Sequence, residues 1–106
     1  MIRTNFSSGY PFEDAYGYAR AVRAGSQAFI SGTTARGPHL DGDTYTRMTA
    51  AIATVAAALG EAGAELRHVV RTVVYVLDMA DVDQIARMKK HSVRRVRQAL
   101  WYRSPL

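Results

Sequence analysis

With 106 residues, 48% of them hydrophobic, the chain is sized for one domain with a single core and is too apolar to be disordered. No apolar run approaches the roughly 18 residues of a membrane span, and the opening MIRTNFSSGY lacks the apolar segment of a signal peptide, so a cytoplasmic protein is expected. The absence of cysteine excludes disulfides and thiolate chemistry, His39, His68 and His91 are too scattered to suggest a metal site, and the net charge of +5 raises the question of where the positive charge lies.

From Ile2 to Glu13 the Ser/Gly/Pro-rich run TNFSSGYPFE predicts an extended leading segment rather than a helix. Two short apolar runs, Tyr16–Val22 and Gln27–Ser31, flank the turn residues Arg23-Ala24-Gly25-Ser26 and predict a β-hairpin that Gly32 terminates. The polar loop TTARGPHLDGDT that follows is either a specificity-bearing loop or a simple connection. Asp43 or Thr44 can cap a helix from about Tyr45 to Ala62, on which Met48, Ile52, Val55 and Leu59 share one face.

Gly63 supplies the stop for that helix. Beyond it, Val69, Val70, Val73, Val74, Tyr75 and Val76 form the strongest β-forming cluster of the chain, too continuous for a strand with one wet face. A central strand over Val69–Leu77, covered on both sides, is the expectation. Asp81 with Gln84 has the form of a helix N-cap with a reciprocal partner, and a second helix is threaded from Asp81 through Val82, Ile85 and Met88. Its pattern loosens after Met88.

There the composition changes. Residues 1–86 balance seven basic side chains against nine acidic ones, whereas residues 87–106 carry seven basic and none acidic, so the excess charge belongs to the tail. No convincing closing strand follows the second helix, and Ala99–Tyr102 alone could supply a short one.

Three features together resemble the Rid family, also called the YjgF/YER057c/UK114 or L-PSP family. They are YGYARAVRAGSQAFISGTTA over Tyr16–Ala35, LGEAGAELRHVVRTVVYVLDMADV over Leu59–Val82, and their separation by a helix of suitable length. The opening NFSSGYPFEDAYGYARAV is similar to a subgroup that begins this way, and the match covers about residues 3–87. The resemblance implies an α+β, chorismate-mutase-like fold: a mixed sheet with two helices on one face, three copies closing into a homotrimer around a central barrel.

Family active sites lie in clefts between subunits, and the implied activity is hydrolysis of reactive enamines and imines, such as 2-aminoacrylate, to 2-oxo acids and ammonia. No metal or organic cofactor is implied. Such chemistry requires a planar cation for the carboxylate, a water for the imine carbon and a proton for the leaving nitrogen. Carried across, the pattern puts Tyr18 at the tyrosine lining the cleft, and Ser31 and Gly32 at the turn whose backbone faces the ligand. Arg97, in Arg97-Gln98-Ala99, falls where the family has the arginine of an Arg-Pro-Ala element and is the catalytic candidate.

Each residue also has a plainer reading. Tyr18 can be a hairpin packing residue, Arg97 a solvated helix charge, Arg71 a strand-end or interface ion-pair residue, and His68 a surface residue at the strand's entrance. Ser31 has no neighbouring histidine to activate it as a nucleophile. The family's water-positioning glutamate comes from later strands, and no acidic residue follows Asp83, which sets activity in doubt. An altered reading frame after about Met88 would account for this basic, shortened segment. A genuine specialisation would instead make residues 88–106 a polyanion-binding element, with RNA as partner and Trp101 and Tyr102 as stacking side chains. The alternatives to a deaminase are therefore a non-catalytic carboxylate-binding protein and an RNA-binding or endoribonuclease-like protein.

Overall fold

A computed structural model describes residues 2–76, 78–92 and 98–103. The chain opens with a strand, β1 (Arg3–Phe6), and a short helix, α1 (Pro11–Tyr16). The predicted extended segment is thus half right. Arg3–Phe6 is extended because it pairs antiparallel with β2 (Ala21–Ala24), Arg3 opposite Ala24 and Phe6 opposite Ala21. Residues 11–16 turn helical because Pro11 at the first helical position has its φ preset and its missing N–H would have had no partner there anyway.

The hairpin is present but shorter than predicted: β2 pairs antiparallel with β3 (Gln27–Ile30) across Gly25-Ser26, and Tyr16 belongs to α1 instead. The loop after Gly32 contains a 3-10 turn at Gly37–Asp41 and leads into α2 (Thr44–Glu61). Asp43 caps α2, its carboxylate accepting the Thr46 N–H at 2.8 Å. At the other end, Gly63 adopts φ +82°, and the N–H groups of Gly63 and Ala64 close on the carbonyls of Gly60 and Leu59 at 3.1 and 2.8 Å. This paired closure satisfies carbonyls that the helix end would otherwise leave open. Arg23, from β2, adds a hydrogen bond from Nη1 to the Ala62 carbonyl at 2.9 Å.

The strand β4 (Arg71–Val76) runs parallel to β5 (Gln98–Arg103), with α3 (Val82–Ser92) as the crossover between them. Two expectations change here. First, a closing strand exists over Gln98–Arg103, in the one place the sequence offered. Its six-residue register with β4 runs from Arg71 opposite Gln98 to Val76 opposite Arg103. Second, among the described residues of one chain β4 is not the centre of a sheet, and one of its faces is left for the neighbouring subunits that the resemblance implies. Among the described residues it pairs with β5 alone, and its exposure alternates, with Val73 and Tyr75 42% and 69% exposed and Val76 buried. Val69 and Val70 precede the strand, and Leu77 lies outside the described residues.

The described strands therefore form an antiparallel sheet β1-β2-β3 and a parallel pair β4-β5 rather than one mixed sheet. Helix α2 packs against both α3 and β3 and joins the two units. The Thr44 hydroxyl donates to the Asp81 carboxylate at 3.0 Å, tying the start of α2 to the start of α3. That bond takes the place of the predicted reciprocal cap with Gln84, and Asp78 instead receives the Ala80 N–H at the 3-10 turn Met79–Asp81. The core within one chain is thin, made of Ala21, Ala35, Ala58, Leu59, Ala62, Val76 and Ile85 among the described residues. No helix among the described residues is long and apolar enough to cross a membrane.

Candidate functional site

The turn that leaves β3 is where the sequence-derived residues converge. Tyr18 follows α1, its N–H donating to the Glu13 carbonyl at 3.0 Å, and its ring lies 5.7 Å from the guanidinium carbon of Arg20. Arg20 in turn continues the β2-β3 ladder by one rung, since the Ser31 N–H donates to the Arg20 carbonyl at 3.0 Å. Tyr18, Ser31 and Gly32 are thereby gathered around one side chain that the sequence reading had not singled out.

That side chain is almost completely buried, at 2% exposure. Arg20 Nη1 donates to the Gly32 carbonyl at 2.7 Å and to Thr33 Oγ1 at 2.9 Å, with a longer contact of 3.5 Å to the Ser31 carbonyl. Its Nε has no hydrogen-bond partner among the described residues. No carboxylate lies at ion-pair distance from Arg20 among those residues, where Arg67–Glu65 is the ion pair that forms. A buried cation in this situation is costly unless something compensates it.

Glu13, 3% exposed, supplies part of that compensation. Its carboxylate accepts the Ser8 N–H on both oxygens at 3.2 Å and also takes the Ser8 hydroxyl. The Ser8 side-chain hydrogen bond is the main reason the Glu13 carboxyl titrates below its ordinary range, and the positive charge of Arg20 acts in the same direction.

The Ser31 hydroxyl donates to the Ala19 carbonyl at 2.6 Å, so it braces the turn and no base is paired with it. Thr33 Oγ1 donates to the Ser31 carbonyl at 2.8 Å while accepting from Arg20. Gly32 is exposed, and a Cβ built there would meet no atom within 4 Å, so approach to its backbone is open. Arg97 lies outside the described residues and its relation to this turn is not part of the geometry. His68 is exposed and accepts the Glu65 N–H through Nδ1 at 3.1 Å, a local cap at the 3-10 turn Leu66–His68. Arg71 is the exposed first residue of β4.

The sequence signal for Arg20 was available. A lone arginine inside YGYARAV, on the strand side of a hairpin, must be either solvent-facing or paired inside, and only packing decides which.

Comparison with known proteins agrees with this architecture. The family model described as endoribonuclease L-PSP matches residues 11–102. The uncharacterised protein SCO2049 of Streptomyces coelicolor is 39% identical over 93 residues, covering 85% of this chain and 69% of the relative. Rv2704 of Mycobacterium tuberculosis, described as a member of the YjgF/YER057c/UK114 family, is 34% identical with a TM-score of 0.88, covering 99% of this chain and 86% of that one. RidA from an Antarctic Psychrobacter shares the fold at 17% identity, with a TM-score of 0.70 and coverage of 96% and 80%. An α+β protein of this topology, with this family match over most of its length, defines the class. The chain belongs to the Rid family, the YjgF/YER057c/UK114 or L-PSP group.

Proposed function

We propose that this protein binds small 2-imino or 2-oxo carboxylates at the turn formed by Tyr18, Ser31 and Gly32, and hydrolyses reactive imines there to 2-oxo acids and ammonia. The observation that carries the reading is the convergence of those residues on one open backbone turn backed by a buried arginine. In the reaction, water adds to the imine carbon, its oxygen becoming the 2-oxo group, and the imine nitrogen departs as ammonia after protonation. Residues that fix the carboxylate accelerate this by holding the imine carbon in register with the water. Arg97 is the proposed carboxylate partner, by resemblance alone.

The reading includes a homotrimer with the site in the cleft between subunits. Support comes from surface that one chain leaves open: Phe29, Val70, Val73 and Tyr75 are 57%, 65%, 42% and 69% exposed, while few large side chains are buried among the described residues. Apolar area of this kind is normally covered by association.

The test is 2-oxo acid formation from 2-aminoacrylate generated in situ, measured above spontaneous hydrolysis. Acceleration that is lost in Gly32→Val and Arg97→Ala supports the deaminase. Saturable binding of 2-oxobutyrate with no acceleration would make the protein a carboxylate-binding member without this catalysis. A second reading rests on the basic run from Arg87 to Arg103. RNA affinity falling steeply with added salt would favour it.

A further inference from the structure

We infer that Arg20 is the positioning residue of the ligand-facing turn: from the buried side it sets the Gly32 and Thr33 amides to receive a substrate carboxylate. This inference rests on the carboxylate-binding reading above and adds to it the group that makes the turn a receptor for an anion.

In a trans peptide the C=O and N–H point in opposite directions, and no described peptide bond is cis. The Gly32 carbonyl is drawn onto Arg20 Nη1 at 2.7 Å, so the N–H of the same peptide unit, that of Thr33, faces away from Arg20. The Ser31 carbonyl is held on that side by the Thr33 hydroxyl at 2.8 Å and more loosely by Nη1 at 3.5 Å, so the Gly32 N–H also faces away. Neither N–H has a hydrogen-bond partner among the described residues. Gly32 itself is exposed, and a Cβ added there would touch nothing, so the turn has room for a ligand. Two successive backbone donors that share one side can together accept a single anion.

Charge adds to geometry. Arg20 is 2% exposed, its Nε is unpartnered among the described residues, and it has no carboxylate at ion-pair distance there. Its positive potential is therefore incompletely cancelled, least screened by water, and directed through the turn it holds. A carboxylate on the two amides would complete the compensation that Glu13 begins. A neutral ligand would gain little from it.

The experiment is an amide NMR titration of the full chain with 2-oxobutyrate, comparing wild type, Arg20→Gln, Arg20→Lys and Thr33→Val. In the wild type the Gly32 and Thr33 amides are expected to shift saturably. A folded Arg20→Gln protein should bind about tenfold more weakly, the scale of losing charge-assisted support, and Arg20→Lys should recover part of that loss because the charge remains. If folded Arg20→Gln binds as well as wild type, the role assigned to Arg20 is wrong while the site itself stands. If 2-oxobutyrate leaves the wild-type Gly32 and Thr33 amides unmoved, the site reading fails and takes this inference with it. Should Arg20→Gln not fold, Thr33→Val decides, because it removes one Nη1 acceptor and keeps the charge: several-fold weaker binding supports the inference, and unchanged binding overturns it.

Discussion

Glu13 shows how one carboxylate makes stability depend on pH. Its folded-state pKa is lowered from the ordinary 4.5, chiefly by the Ser8 side-chain bond. A depressed folded value means that the group stabilises the protein above about pH 4.5 and that this contribution is lost as pH falls through the folded pKa. Denaturation midpoints measured from pH 7 downward should therefore separate wild type from Glu13→Gln at neutral pH and converge in acid. A constant gap would indicate that the Ser8 bonds add nothing that depends on charge. Gly63 offers a second test at the same scale. At φ +82°, and with an added Cβ meeting Arg23 Nη1 at 3.0 Å, Gly63→Ala should cost about 1–2 kcal/mol in urea denaturation. Its role was legible in the sequence, since a glycine after a long periodic run marks a helix end. The contact from Arg23 was not legible, because it joins residues 39 apart in the chain.

At the scale of elements, local signals were readable where they were strong. Helix α2 appears within one residue of its predicted ends because its alanines, its apolar periodicity and Asp43 agree. Asp43→Ala should lower the urea midpoint, whereas Asp43→Asn should retain most of the capping, since asparagine also accepts the Thr46 N–H. Equal losses in both would mean that charge matters more than the hydrogen bond. Helix α1 was missed because its six residues carry little periodicity and its closure depends on bonds from Tyr18 and Glu13. Strand β5 was only weakly visible because its pairing with β4 is set by a crossover through α3, a long-range choice that its own composition does not encode. The site divides in the same way. Tyr18, Ser31 and Gly32 are candidates by resemblance alone, whereas the burial of Arg20 is decided by packing that the sequence does not encode.

For the whole molecule, the apolar pattern of β4 and the face it leaves open are two sides of one fact. The sequence predicted a strand covered twice, and a single chain covers it once, leaving Val73 and Tyr75 at 42% and 69% exposure. Light scattering is expected to give a mass near three chains, and Val73→Glu should shift that mass toward one chain while the helical circular dichroism signal persists. A monomeric wild type would remove the subunit cleft from the proposed function.

The division of the strands has a consequence for how the protein breathes. The antiparallel unit β1-β2-β3 and the parallel pair β4-β5 share no ladder among the described residues, and α2 packs against β3 on one side and the crossover helix α3 on the other. Cooperative opening follows such seams. Native-state deuterium uptake should accordingly sort the backbone into two cohorts, with Ala21–Ile30 exchanging as one and Arg71–Val76 together with Gln98–Arg103 as the other.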